Sequence, residues 1–193
     1  PGDEVLVPTP YWVSYADQIK MNEGVPVFVT ATEEHHFKVT VDQLEAARTD
    51  KTKVLLLNSP SNPTGMIYSR EELEAIGNWA VEHDLLILAD DIYGRLVYNG
   101  NTFTPISSIS ESIRQQTIVI NGVAKAYAMT GWRVGYAVGN PEIIVAMGKI
   151  IGQTTSNLTT VAQYAAIEAF TGPQDTVETM RQAFEERLNT IYP

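Results

Sequence analysis

The chain has 193 residues, 44% of them hydrophobic and 19% charged, which excludes a disordered or fibrous protein and is enough to bury a core. Lys and Arg number 13 against 23 Asp and Glu, a formal charge of −10. This argues against non-specific nucleic-acid binding while leaving room for a local basic pocket. The chain has no cysteine, so disulfides, thiol catalysis and thiolate metal sites are absent. No apolar run approaches the ~18–20 residues of a membrane span.

The first residues, PGDEVLVPTP, lack the basic start and apolar stretch of a signal peptide. A cytoplasmic enzyme or module is the expectation. There is no initiator Met, and Pro1-Gly2-Asp3 turns straight into an apolar run. The last residues read as an interrupted helix, so both ends look cut from a longer chain. Strands are predicted over residues 4–7, 25–29, 53–58, 85–89, 117–120 and 134–138. Runs such as VLLL and LLIL are continuous, as suits strands covered on both faces. A helix is predicted over residues 41–48, where Thr40 and Gln43 have capping-box spacing. Ser69 and Glu72 repeat the device before Leu73, Ile76, Trp79 and Ala80, an apolar stripe at helical spacing. Pro141 opens a helix through Gly152. Two more are predicted over about 159–170 and 177–191.

This alternation predicts a single α/β domain: three layers, with a mostly parallel, doubly wound sheet and helices on both faces. In such sheets ligands sit beyond the carboxyl ends of the strands. Residues 58–62 follow one strand, Asp90-Asp91-Ile92-Tyr93 the next, and Asn121 to Lys125 a third. An amide, an acid with a phenol, and a lysine therefore reach one rim.

Lys125 is flanked by small and apolar residues. Desolvation there lowers an amine's pKa and frees it to attack a carbonyl. Arg133, just after Gly131-Trp132, offers a guanidinium fork suited to phosphate. Asp90 ends an apolar strand and needs a hydrogen bond or a cation. Judged singly, each has an ordinary explanation. Lys125 alone reads as a solvated loop lysine, Arg133 as an ion-pair partner and Asp90 as a cap or turn former. Tyr93 and Trp12 serve as packing, and Asn62-Pro63-Thr64-Gly65 as a turn. His35 and His36 read as solvated, and His83 as a helix-end residue. No metal-ligand spacing and no nucleotide-binding glycine motif is present.

The segments SPSNPTG, LADDIY and AKAYAMTGWRVGY, in that order, resemble the aspartate aminotransferase family. These are class I/II aminotransferases among the fold type I pyridoxal-phosphate enzymes. The opening PGDEVLVPTPYWVSY is similar to that family's entry into its large domain, and the likeness runs from Pro1 to about Phe170. It implies that Lys125 forms the internal aldimine with pyridoxal 5′-phosphate and later moves the substrate's proton. Asp90 matches the acid facing the pyridine nitrogen, selected over Asp91 by the Asp-x-x-Tyr spacing. Tyr93 and Asn62 match the groups bonded to the cofactor's phenolic oxygen. Arg133 matches the phosphate-binding arginine, and Trp12 the ring stacked on the pyridine.

The resemblance further implies a PLP-binding large domain over residues 1–193, with about 173–193 starting the helix toward an absent small domain. It implies a homodimer acting on an amino acid, aspartate favoured, and a 2-oxo acid. The chain departs from the family at Gly122, where a phosphate-binding serine often stands. The family's sheet has seven strands and six are counted here. The missing first strand belongs beside residues 134–138, and some exposed apolar surface is expected. A fragment lacking the rest of the site is expected to be inactive. Two alternatives remain: another fold type I enzyme, such as a beta-lyase or carbon–carbon lyase, or a non-catalytic binding or oligomerisation domain.

Overall fold

The computed structural model describes residues 1–192; Pro193, the last residue of the expected domain, lies outside them. Strand β1 (Glu4–Thr9) leads through helix α1 (Ser14–Met21) to β2 (Val25–Thr30). Then follow α2 (Val41–Ala47), β3 (Thr52–Asn58), α3 (Arg70–Glu82) and β4 (Leu86–Asp90). Helix α4 (Glu111–Gln115) precedes β5 (Thr117–Gly122). After β6 (Gly135–Val138) come α5 (Pro141–Thr154), α6 (Thr160–Thr171) and α7 (Asp175–Ile191).

The six strands form one sheet in the order β2-β1-β3-β4-β5-β6. All neighbours are parallel except β5 and β6, which run antiparallel. The leucine-rich β3 and β4 sit centrally, where a continuous apolar run is buried from both sides. Winding reverses between β1 and β3. Right-handed crossovers then place α1 on the face opposite α2 and α3. The reversal also opens a crevice at the carboxyl ends of β1 and β3, the usual place for a ligand in this topology.

Pleating sorts the core. Leu6, Leu55, Leu57, Ile87 and Ala89 are buried with Leu73, Ile76, Trp79 and Ala80 of α3. Their sequence neighbours Val7 and Leu56 are buried too, and alternation directs them to the other face. Truncating the fully buried Leu55 to alanine would cost about 2–5 kcal/mol. Both expected capping boxes form: Thr40 with Gln43 and Ser69 with Glu72.

Two helices, α1 and α4, stand where none was expected. Helix α4 is only five residues long, capped by the Ser110 side chain accepting from Ile113 N. The sheet has six strands rather than the seven the resemblance carries. Its β6 edge leaves Tyr136 and Val138 exposed. Helix α5 buries no residue, and Ile150, Ile151, Val161, Tyr164 and Ile167 of α5 and α6 are exposed. No helix among the described residues is long and apolar enough to cross a membrane.

Candidate active site

The loops after four parallel strands converge on one cavity of about 380 Å³. Its walls include all six residues singled out from the sequence: Trp12, Asn62, Asp90, Tyr93, Lys125 and Arg133. One acid and two cations thus meet in a chain whose formal charge is −10. A second cavity, of about 850 Å³, shares Asn62, Tyr93 and Lys125. Met180, Phe184 and Leu188 of α7 form its far side.

Asp90 is the last residue of β4, paired in register with Asn58 of β3 and Ile120 of β5. Both of its carboxylate oxygens find donors. The Tyr15 hydroxyl donates to Oδ2 at 2.6 Å, and Ile92 N donates to Oδ1 at 3.2 Å. Tyr15 is buried in the first turn of α1. Burial, then the charge of Asp90, push its phenol well above the usual tyrosine range, so it stays a donor. Trp12 packs edge-on to Tyr15, with centroids 5.4 Å apart and planes at 84°. It remains 40% exposed, leaving ring surface toward the cavity.

Asn58 straps two loops together. Its Nδ2 donates to the Asp90 carbonyl at 2.8 Å, and its Oδ1 accepts from Asn62 N at 2.7 Å. Asn62 Nδ2 in turn lies 3.5 Å from the Tyr93 hydroxyl. The amide and the phenol thus converge from separate strands.

Lys125 follows β5. Its Nζ sits 5.5 Å from the centre of the Tyr93 ring, and it makes no ion pair among the described residues. The loop's back is anchored by Val123 and Val134, which pack on Ala162 and Ala166 of α6. Arg133 takes a left-handed backbone with φ of 56°, and its Nη1 donates to the Thr130 carbonyl at 2.9 Å.

Gly122 is explained by packing. A Cβ there would lie 2.6 Å from the Val134 carbonyl oxygen and 3.1 Å from Gly135 Cα. The close approach of β5 and β6 leaves no room for the serine of the family pattern. Asp91 is not part of the cavity wall. It is 6% exposed, and burial, aided by the charge of Asp90, pushes its carboxyl up to about 7.

Sequence reasoning missed Tyr15 and Asn58. The place of Tyr15 three residues past Trp12 was the available signal for the first. No group of three or more His, Asp or Glu residues among those described could hold a metal ion.

The profile of the family "Aminotransferase class I and II" matches residues 1–193. An asparagine–oxo-acid transaminase of Streptococcus mutans is 79% identical over 193 residues, all of this chain and 49% of the relative. An aspartate aminotransferase of Bacillus sp. strain YM-2 is 59% identical over 192 residues, again 49% of the relative. Among solved structures, the aspartate aminotransferase of Rhizobium meliloti superposes with a TM-score of 0.96 at 41% identity. It matches 99% of this chain and 48% of that one. The aromatic aminotransferase of Pyrococcus horikoshii gives 0.95 at 37% identity, matching 99% of this chain and 52% of that one. The chain therefore spans about half the length of the relatives it matches.

Proposed function

From the premise that the chain belongs to the class I and II aminotransferases, we propose the activity of the whole protein. It moves an amino group from a four-carbon amino acid to a 2-oxo acid, with pyridoxal 5′-phosphate as cofactor. The observation that carries this is the meeting of Lys125, Asp90 and Arg133 in one cavity at the carboxyl ends of the strands.

The donor set fits that cofactor. It supplies an amine for an aldehyde, an acid for a ring-nitrogen proton and a guanidinium for a phosphate. An amide–phenol pair suits a phenolic oxygen, and an indole suits a flat ring. The cavity volume of about 380 Å³ lies within the roughly 300–1,000 Å³ of small-molecule sites. When bound, the cofactor supplies the electron sink.

The rest falls to this chain's residues. Lys125 Nζ would hold the cofactor's aldehyde carbon, and its freed amine would be the base for the proton on the donor's α-carbon. Asp90 would hold the ring nitrogen's proton. Its own charge is supported by the Tyr15 hydroxyl and Ile92 N. Tyr93 and Asn62 would bond the phenolic oxygen, Arg133 the phosphate, and Trp12 would cover one ring face. With Gly122 closed to a side chain, the phosphate relies on Arg133 and groups other than a serine at that position.

Residues 1–193 form the cofactor-binding large domain, with α7 leading toward a small domain. The exposed apolar faces of α5 and α6 suit a homodimer. Aspartate and asparagine are the favoured donors, on the names of two relatives, an asparagine–oxo-acid transaminase and an aspartate aminotransferase. Borohydride reduction of the full-length protein with pyridoxal phosphate, followed by peptide mapping, should label Lys125; a label elsewhere removes the assignment. Product analysis separates the alternatives. Amino exchange with a 2-oxo acid supports the aminotransferase, and release of ammonia with pyruvate supports a lyase.

A further inference from the structure

Directly behind the lysine loop lies a polar triangle that the chemistry above does not use. Tyr127, two residues past Lys125, accepts a hydrogen bond from Arg95 Nη1. Arg95 stands two residues past Tyr93. The same Arg95 nitrogen donates to Gln174 Oε1 at 2.6 Å. The Tyr127 hydroxyl completes the triangle by donating to Gln174 Oε1 at 3.3 Å.

The Gln174 amide has one allowed orientation. Its Nε2 donates to the carbonyls of Ala169 at 3.0 Å and Gly172 at 2.8 Å, so Oε1 must be the acceptor facing Arg95. A flipped amide would set its NH₂ against a guanidinium. Aromatic packing frames the triangle. The Arg95 guanidinium lies 5.5 Å from the Tyr127 ring centre, and Phe170 meets Tyr127 edge-on at 5.6 Å.

These bonds join three pieces of chain: the loop bearing Tyr93, the loop bearing Lys125, and the corner between α6 and α7. We infer that Arg95, Tyr127 and Gln174 are positioning residues that set the placement of the Lys125 amine relative to Tyr93. This deepens the reading proposed above and rests on it. The loop is otherwise held within itself by Val123 N donating to the Val134 carbonyl, Ala128 N to the Lys125 carbonyl and Met129 N to the Val123 carbonyl, and against α6 by apolar contact of Val123 and Val134. That contact with α6 is non-directional and leaves the loop free to rock as a unit. The triangle supplies direction, because one Arg95 nitrogen bonds both the Tyr127 hydroxyl and an amide of fixed orientation. Misplacing a reacting group by about 1 Å costs on the order of 100-fold.

The test uses the full-length protein with Tyr127→Phe, which keeps the ring and removes only the hydroxyl, and Gln174→Ala. The first readout is the rate at which apo-protein acquires a borohydride-stable pyridoxal adduct at Lys125. The second is the pH midpoint of the lysine–cofactor absorbance change. The inference expects capture slowed roughly 10-fold in both variants and the midpoint shifted by about half a unit or more. The urea midpoint of Tyr127→Phe should stay at the wild-type value. Wild-type capture rates and midpoints in both variants overturn the inference and leave the functional reading standing. So does a Tyr127→Phe protein whose slowed capture merely tracks lost stability. A wild-type protein that forms no adduct at Lys125 overturns both.

Discussion

Replacing Asp91 with asparagine should change how stability depends on pH. The side chain is almost wholly buried, and burial followed by the charge of Asp90 raises its carboxyl from 3.8 to about 7. The raised value means the folded state holds the proton more tightly than the unfolded chain does. The resulting stabilisation is complete below pH 3.8 and is lost as pH rises through about 7. At about 1.36 kcal/mol per pKa unit, the full loss is ~4 kcal/mol, of which roughly 2–3 kcal/mol falls between pH 5 and 8. Asparagine has the same shape and cannot ionise, so the variant escapes that loss. Urea unfolding of both proteins at pH 5 and pH 8 measures it. The stability of Asp91→Asn relative to wild type should be higher at pH 8 than at pH 5 by roughly 2–3 kcal/mol. A variant-minus-wild-type difference that is the same at the two pH values refutes the assignment of a buried, protonated acid.

Tyr15→Phe deletes the donor to Asp90 and should weaken pyridoxal phosphate binding by about 10-fold or more, as a charge-assisted bond contributes ~1.5–3 kcal/mol. An absorbance titration reads this, and unchanged affinity would remove Tyr15 from the site. Gly122→Ser should destabilise by about 1–3 kcal/mol through overpacking on the Val134 carbonyl, measured by thermal unfolding. A neutral effect would mean that β5 and β6 can part. Ser69→Ala should cost about 1 kcal/mol in urea unfolding, from loss of the cap on α3.

The central strands β3 and β4 were legible as continuous apolar runs buried from both sides, and the others, including the partly exposed edge strands β2 and β6, as short apolar runs between turn signals. Helices α2 and α3 announced themselves by capping boxes, α5 by its proline. Helix α1 did not. It buries only Tyr15 and Ala16 and lacks a side-chain cap, and its anchor is a hydrogen bond to an acid 75 residues away. Local spacing carries no trace of such a partner. The same limit hid Asn58, whose two bonds depend on β3 lying in register beside β4. Lys125, Arg133 and Asp90 were identifiable as types at strand ends, but the roles proposed for them came from ordered motifs rather than from any residue alone. Gly122 read as a departure from a pattern. Only the approach of β6 shows that it is a steric requirement.

The antiparallel pairing of β5 with β6 divides the assembly of the site into two regimes. Lys125 and Arg133 ride on one connection between adjacent strands, so a hairpin-like unit delivers both cations after closing a single short loop. Asp90, Asn62 and Trp12 arrive only when β1, β3 and β4, spread between Glu4 and Asp90, have found their places in the sheet. Pairings at such separation form slowly. The amine and guanidinium proposed to hold the cofactor therefore depend on fewer long-range pairings than the acid and the indole. On the proposed reading, cofactor added during refolding would meet the basic half of the site first.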